Sequence, residues 1–150
     1  MLLDGSRRLL ALGSNPPSDV SLAELSPDGH WLAYVSDESG RAEVYVASYP
    51  ALSTRLQISN DGGDLPRWRR DGRELFYASQ NKMMSAELVV AGDHPATNHV
   101  VTLFTSEFQN RAFDVTSDGQ RFLVTASETR PGATVPVTVI VNWAGRTTGR

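Results

Sequence analysis

Three short stretches of this chain alternate apolar and charged residues, and each runs into an Asp-Gly pair. Ala23-Glu24-Leu25, Pro66-Arg67-Trp68 and Phe113-Asp114-Val115 all read apolar, charged, apolar. That period of two is expected of a strand with one buried face. It predicts the first strands of three equivalent units, over 23–26, 66–69 and 113–116, with the apolar residues facing inward. Asp28-Gly29, Asp71-Gly72 and Asp118-Gly119 then turn the chain, because glycine accepts positive φ and aspartate bonds its own backbone. Past each turn three consecutive columns are apolar: Leu32, Leu75 and Phe122; Ala33, Phe76 and Leu123; Tyr34, Tyr77 and Val124. A strand without polar alternation is one covered on both faces, so the second strand is expected at the core of each unit.

Third strands are expected at 43–46, 83–88 and 137–141, and outer fourth strands at 55–58 and 100–104; the last unit lacks one. Breakers rich in Asp, Gly and Pro separate them at 37–40, 60–64, 91–95 and 128–132. The Asp-Gly pairs stand 43 and 47 residues apart, which fits the roughly 40 to 50 residue period of propeller blades. The fold class is therefore read as all-β: a β-propeller segment of about three four-stranded antiparallel blades. The blades cover about 21–59, 60–104 and 105–143. A partial blade occupies 1–20, where the apolar run 8–12 resembles the outer strand of an earlier blade, and 146–150 is a polar tail.

Ser26-Pro27-Asp28-Gly29 followed by Trp31-Leu32-Ala33-Tyr34, then Ser36-Asp37-Glu38-Ser39-Gly40-Arg41 and Glu43-Val44-Tyr45-Val46, resembles the TolB-type, WD-like propeller repeat. Residues 66–77 and the closing 137–143 resemble, more narrowly, the C-terminal propeller of bacterial serine/threonine protein kinases. The resemblance covers 1–145. It implies a share of a larger ring of roughly six or more blades, and a periplasmic or otherwise extracytoplasmic site if the parent protein is exported or membrane-anchored. A chain with half such a ring is expected to be an open arc, a fragment or a subunit, whose bare blade faces and edges offer a route to self-association.

With 150 residues and 40% of them hydrophobic, the chain has enough apolar surface for a core. Its net charge of −3 gives no long-range attraction to nucleic acid or anionic lipid. Arg67, Arg69, Arg70 and Arg73 around Trp68 are read as a polar blade edge with their stems on apolar surface, so no nucleic acid partner is expected. The absence of cysteine excludes disulfides, thiolate catalysis and cysteine-held metals. No run approaches about 18 apolar residues, so this chain is not expected to insert into a membrane. Asp4 and Gly5 interrupt the start where a signal peptide would stay apolar.

Enzyme chemistry is not expected here. The kinase set, a Gly-rich phosphate loop, His-Arg-Asp and Asp-Phe-Gly, does not occur, and neither does the Gly-x-Ser-x-Gly elbow of serine hydrolases. His94 and His99 beside Asp93 lack a third metal ligand and are read as a solvated loop. Asp61-Gly62-Gly63-Asp64 lacks the alternating acids of a calcium loop, and turn capping accounts for it. No cofactor or metal is therefore expected. The expected function is a non-catalytic scaffold for a protein or peptide partner. Asp37, Glu38, Arg41, Asp61 and Asp64 are its candidate contacts, because turns between repeats share a rim. The resemblance implies the sensor or interaction region of a receptor-type serine/threonine kinase. The alternative is the propeller segment of a prolyl oligopeptidase- or dipeptidyl peptidase-like serine peptidase whose catalytic domain lies outside this chain.

Overall fold

Each alternating stretch ends where its Asp-Gly turn closes the first hairpin of a sheet. The computed structural model describes residues 2–3, 9–10, 19–91, 94–105, 108–126 and 137–141, and among the described residues there is no helix. The first sheet is a meander of β3 (Val20–Leu25), β4 (Trp31–Ser36), β5 (Glu43–Ser48) and β6 (Arg55–Gln57), preceded in the chain by the small pair β1 (Leu2–Leu3) and β2 (Leu9–Leu10). The second is β7 (Asp64–Trp68), β8 (Glu74–Ser79), β9 (Lys82–Ala91) and β10 (His94–Thr105). The third is β11 (Phe108–Val115), β12 (Arg121–Ala126) and β13 (Val137–Val141). All pairings are antiparallel.

The three hairpins are built alike. Gly29, Gly72 and Gly119 have φ of 73°, 72° and 72°, and their N–H groups donate to the carbonyls of Ser26, Arg69 and Thr116 at 2.9, 2.9 and 2.8 Å. In the first and third turns a hydroxyl, Ser26 or Thr116, donates to the aspartate carboxylate, which also accepts the backbone N–H of His30 or Gln120. In the second turn Arg69 replaces the hydroxyl and grips Asp71 through Nε and Nη2 at 2.8 and 2.7 Å. One backbone solution is thus capped by two side-chain chemistries.

Strand alternation decides how the sheets stack. Along β8, Leu75 and Tyr77 face the first sheet and, together with Trp68 of their own sheet, pack on its Ala33, Val35, Val44 and Val46. Phe76 and Ala78 face the third sheet and meet Phe113, Phe122 and Val124. The Phe76 and Phe122 rings stand edge to face, 5.0 Å between centroids, a favoured aromatic geometry. The columns of Leu32 and Tyr34 therefore face the preceding sheet throughout the repeat, and the column of Ala33 faces the following one. Leu32 and Tyr34 themselves are buried with Tyr45 and Ala47 on the outer face of the first sheet.

Three expectations are corrected. Ala23 and Leu25 do not face inward: Leu25, in register with Leu32 on the face turned away from the second sheet, is 42% exposed. Leu25 lacks the cover that the first sheet gives Trp68, which is 7% exposed. The third central strand is not covered on both faces, since Leu123 is 45% exposed while Phe122 and Val124 are buried; the second sheet covers only the side it packs against. His94 and Pro95, assigned to a breaker loop, belong to β10, because the β9–β10 ladder continues to the pair His94 and Ala91. The run 8–12 contributes Leu9 and Leu10 to β2, which pairs with β1. The breaker at 128–132 and the tail at 146–150 lie outside the described residues.

The inner strands share a bulge. Ladder register shifts between Ser21 and Glu24, and again between Asp64 and Arg67. The residues inside it, Leu22 and Leu65, adopt φ of 50° and 54°, a left-handed conformation that costs a non-glycine residue about 1 kcal/mol or more. Bulges of this kind bend a strand and re-aim the side chains beyond them.

Candidate functional site

All five candidate residues fall at one end of the strands, opposite the Asp-Gly hairpins. Asp37, Glu38 and Arg41 sit in the β4–β5 turn; Asp61 and Asp64 sit in and after the connection from the first sheet to the second. The structure brings Arg41 and Asp61 together, with Nη2 3.6 Å from Oδ1. Asp64 joins Arg41 in lining a cleft of about 220 Å³ that also touches Gly62, Gly63 and Gln80. Glu38 turns away to pair with Arg55 at 2.6 Å, and Asp37 accepts the backbone N–H of Asp19 at 2.8 Å. The five share a rim; Arg41 and Asp64 line the cleft, and Asp61 reaches it only through Arg41.

The group that holds this rim in place lies beneath it. Glu43, at the start of β5, is fully buried, and a buried carboxylate is tolerated only when donors surround it. Its Oε1 accepts Arg41 Nε at 2.6 Å and the Gly62 N–H at 3.0 Å, and its Oε2 accepts Ser59 Oγ. Ser59 Oγ in turn accepts the Val44 N–H at 2.8 Å, and the Gly63 N–H donates to the Ala42 carbonyl at 3.0 Å. A side chain at Gly63 would collide with Ser59 and Val44, so glycine is required there for close approach. Burial and the Glu43 carboxylate together push the Tyr77 hydroxyl up to about 12. Sequence reading missed Glu43 and Ser59. The available signal was a glutamate opening an otherwise apolar strand, with a serine shortly before the Gly62-Gly63 pair.

Two further clusters complete the polar map. Glu24, Arg67 and Asp114 occupy matching positions of β3, β7 and β11, and Arg67 Nη1 lies 3.2 Å from Glu24 Oε2. Burial raises the Glu24 carboxyl against the opposing pull of Arg67. At the hairpin end, Arg69, Glu74, Ser85, Glu87, His99 and Gln120 border a cavity of about 330 Å³. Ser85 Oγ there donates to Glu74, which Arg69 Nη1 also clamps at 2.5 Å. Arg69 further holds the Asp71 carboxyl down at about 2. The basic cluster of the sequence thus resolves into Arg67 on Glu24 and Arg69 on Asp71 and Glu74. His94 and His99 lie on β10, both exposed. Among the described residues no group of three or more His, Asp or Glu is placed to hold a metal ion.

No family model matches the chain, and no curated protein matches it. Solved structures do. A protein assigned to TolB of Agrobacterium tumefaciens superposes with a TM-score of 0.57 at 16% identity, over 86% of this chain and 46% of its own. Oligogalacturonate lyase of Vibrio parahaemolyticus superposes with a TM-score of 0.52 at 17% identity, over 67% of this chain and 26% of its own. Likeness at such identities concerns the fold, which is that of a TolB-like β-propeller segment. The chain spans less than half the length of these two structures.

Proposed function

We propose that this chain is a non-catalytic propeller segment that binds a protein or peptide partner on the rim formed by 37–41 and 61–64, within the interaction or sensor region of a bacterial receptor-type serine/threonine kinase. The observation that carries the reading is the Glu43 junction. It fastens the inter-sheet connection from below through Arg41, Ser59 and Gly62, so the cleft beside Arg41 and Asp64 is preorganised, which lowers the entropy lost on binding. The carboxylates of Asp37, Glu38, Asp61 and Asp64 are each engaged by an arginine or a backbone N–H of this chain, an arrangement suited to presenting a fixed surface. The kinase assignment rests on the resemblance of 66–77 and 137–143 alone.

Selection from a displayed random-peptide library tests the binding reading. Enriched peptides are expected to lose about tenfold or more in affinity on Asp61→Arg, the change that about 1.4 kcal/mol produces, and to ignore His30→Ala at the opposite rim. Failure to enrich peptides above an unrelated β-protein, or binding indifferent to Asp61→Arg, would reject it. The parent gene tests the kinase assignment separately: an adjoining kinase catalytic domain is expected, and a serine hydrolase domain in its place would favour the peptidase alternative.

A further inference from the structure

We propose that Asp61-Gly62 is a modification site at which the chain isomerises its own aspartate: the Gly62 nitrogen attacks the Asp61 side chain, and the peptide link passes from the main-chain carboxyl to the side-chain one. The step needs no reagent but water. With the Asp61 carboxyl protonated, Gly62 N bonds to Cγ while its own proton and the carboxyl OH leave as water, closing a succinimide ring. Water then adds to the main-chain carbonyl of the ring and breaks that carbon's bond to Gly62 N, which leaves isoaspartate. Asp-Gly favours this chemistry because glycine has no side chain to shield its nitrogen.

Four Asp-Gly pairs lie among the described residues, at 28–29, 61–62, 71–72 and 118–119; another, at 4–5, lies outside them. Since the dipeptide is the same, only the fold can rank the four. The three hairpin carboxylates are held. Asp28 accepts the Ser26 hydroxyl and the His30 N–H, Asp118 the Thr116 hydroxyl and the Gln120 N–H, and Asp71 two nitrogens of Arg69. These contacts keep all three carboxyls below the usual range, Asp71 at about 2, so the protonated form that reacts is scarce. Asp61 is held least. Its side chain is 92% exposed and meets Arg41 Nη2 only at 3.6 Å, beyond hydrogen-bond length, so it is free to swing toward Gly62 N. The acceptor of the nitrogen's proton differs as well. Gly29, Gly72 and Gly119 donate to carbonyls, but Gly62 donates to Glu43 Oε1 at 3.0 Å, a carboxylate able to take the proton as the ring closes. Ser79 Oγ donates to the Asp61 main-chain carbonyl at 3.2 Å, polarising the carbon that water must attack to give isoaspartate. The product lengthens the main chain beside the N–H that Glu43 accepts, so the modification reaches the junction beneath the rim.

Ageing of the purified wild-type chain in warm, mildly acidic buffer, beside a parallel sample unfolded in urea, tests the proposal. Proteolysis and mass spectrometry with electron-transfer fragmentation locate the products. In the folded chain isoaspartate, preceded by a succinimide lighter by one water, is expected at position 61 at least about tenfold faster than at 28, 71 or 118, the factor that one unit in a carboxyl's pKa supplies. In urea the four rates are expected to converge, because only the dipeptide then matters. The chain isomerised at 61, separated by chromatography, is expected to unfold at a lower urea concentration than the unmodified chain, since the buried Glu43 carboxylate loses a well-placed donor. A folded chain that isomerises equally at all four positions, fastest in a hairpin, or at none of them overturns the proposal. So does a rate order that persists in urea, or an isomerised chain of unchanged stability.

Discussion

Gly63→Ala probes the junction under the candidate rim, and its cost can be worked from the structure. A Cβ at this position would fall inside van der Waals contact of Ser59 Oγ and 2.9 Å from both Ser59 Cβ and Val44 Cγ2. Ser59 cannot retreat freely, because its hydroxyl donates to the buried Glu43 carboxylate and accepts the Val44 N–H. Overpacking of this kind costs about 1–3 kcal/mol, and a buried carboxylate that loses one donor costs about 1–3 kcal/mol more. The sum of about 2–6 kcal/mol is a large part of the roughly 5–15 kcal/mol stability of a domain. Gly29→Ala is the reference. Gly29 has open space around it but a φ of 73°, so alanine there carries only the left-handed backbone penalty of about 1 kcal/mol. Urea unfolding followed by the fluorescence of buried Trp31 and Trp68 compares the two at constant m-value. Combining Gly63→Ala with Ser59→Gly removes two of the three collisions, so alanine at 63 should cost at least about 1 kcal/mol less in that background. Equal losses for Gly63→Ala and Gly29→Ala, or strict additivity with Ser59→Gly, would refute the reasoning.

The remaining predictions concern the hairpin caps, the second interface and the bulges. Arg69 lowers the Asp71 carboxyl from 3.8 to about 2, so its stabilisation is complete above pH 3.8 and is lost as pH falls toward 2. With the Asp71 side chain 47% exposed, screening holds this to under about 1 kcal/mol, and urea midpoints of wild type and Asp71→Asn should converge across that interval. Phe122→Ala removes a fully buried ring in contact with Phe76 and Phe104 and should cost about 3–5 kcal/mol, read by the same unfolding assay with near-ultraviolet dichroism as a second probe. Leu22→Gly, at a positive φ and 45% exposed, should be neutral or stabilising by up to about 1 kcal/mol. Leu65→Gly should destabilise, because Leu65 packs on the Phe76 cluster; the opposite ordering would count against the bulge assignment.

The hairpins and central strands were legible because local chemistry decides them. A turn that needs Gly29, Gly72 and Gly119 at positive φ, and columns such as Leu75, Phe76 and Tyr77, carry their meaning within nine residues. The faces of Leu25 and Leu123 were not legible, because their exposure depends on whether another sheet stands beside them, which no local pattern records. The rim grouping of 37–41 with 61–64 followed from strand direction. Glu43 escaped because a buried carboxylate is explained only by donors brought from Ser59 and Gly62, distant in sequence. Arg69 escaped for a similar reason: the two hydroxyl-capped turns conceal that a guanidinium can do the same work.

Nuclear Overhauser contacts from β8 test the central claim, stacked equivalent sheets, most directly. Alternate residues of this one strand should report opposite neighbours: Leu75 and Tyr77 should contact the first sheet through Ala33, Val35 and Val46, while Phe76 and Ala78 contact Phe122 and Val124 of the third. A single shared set of neighbours for Leu75, Phe76 and Tyr77 would contradict the account.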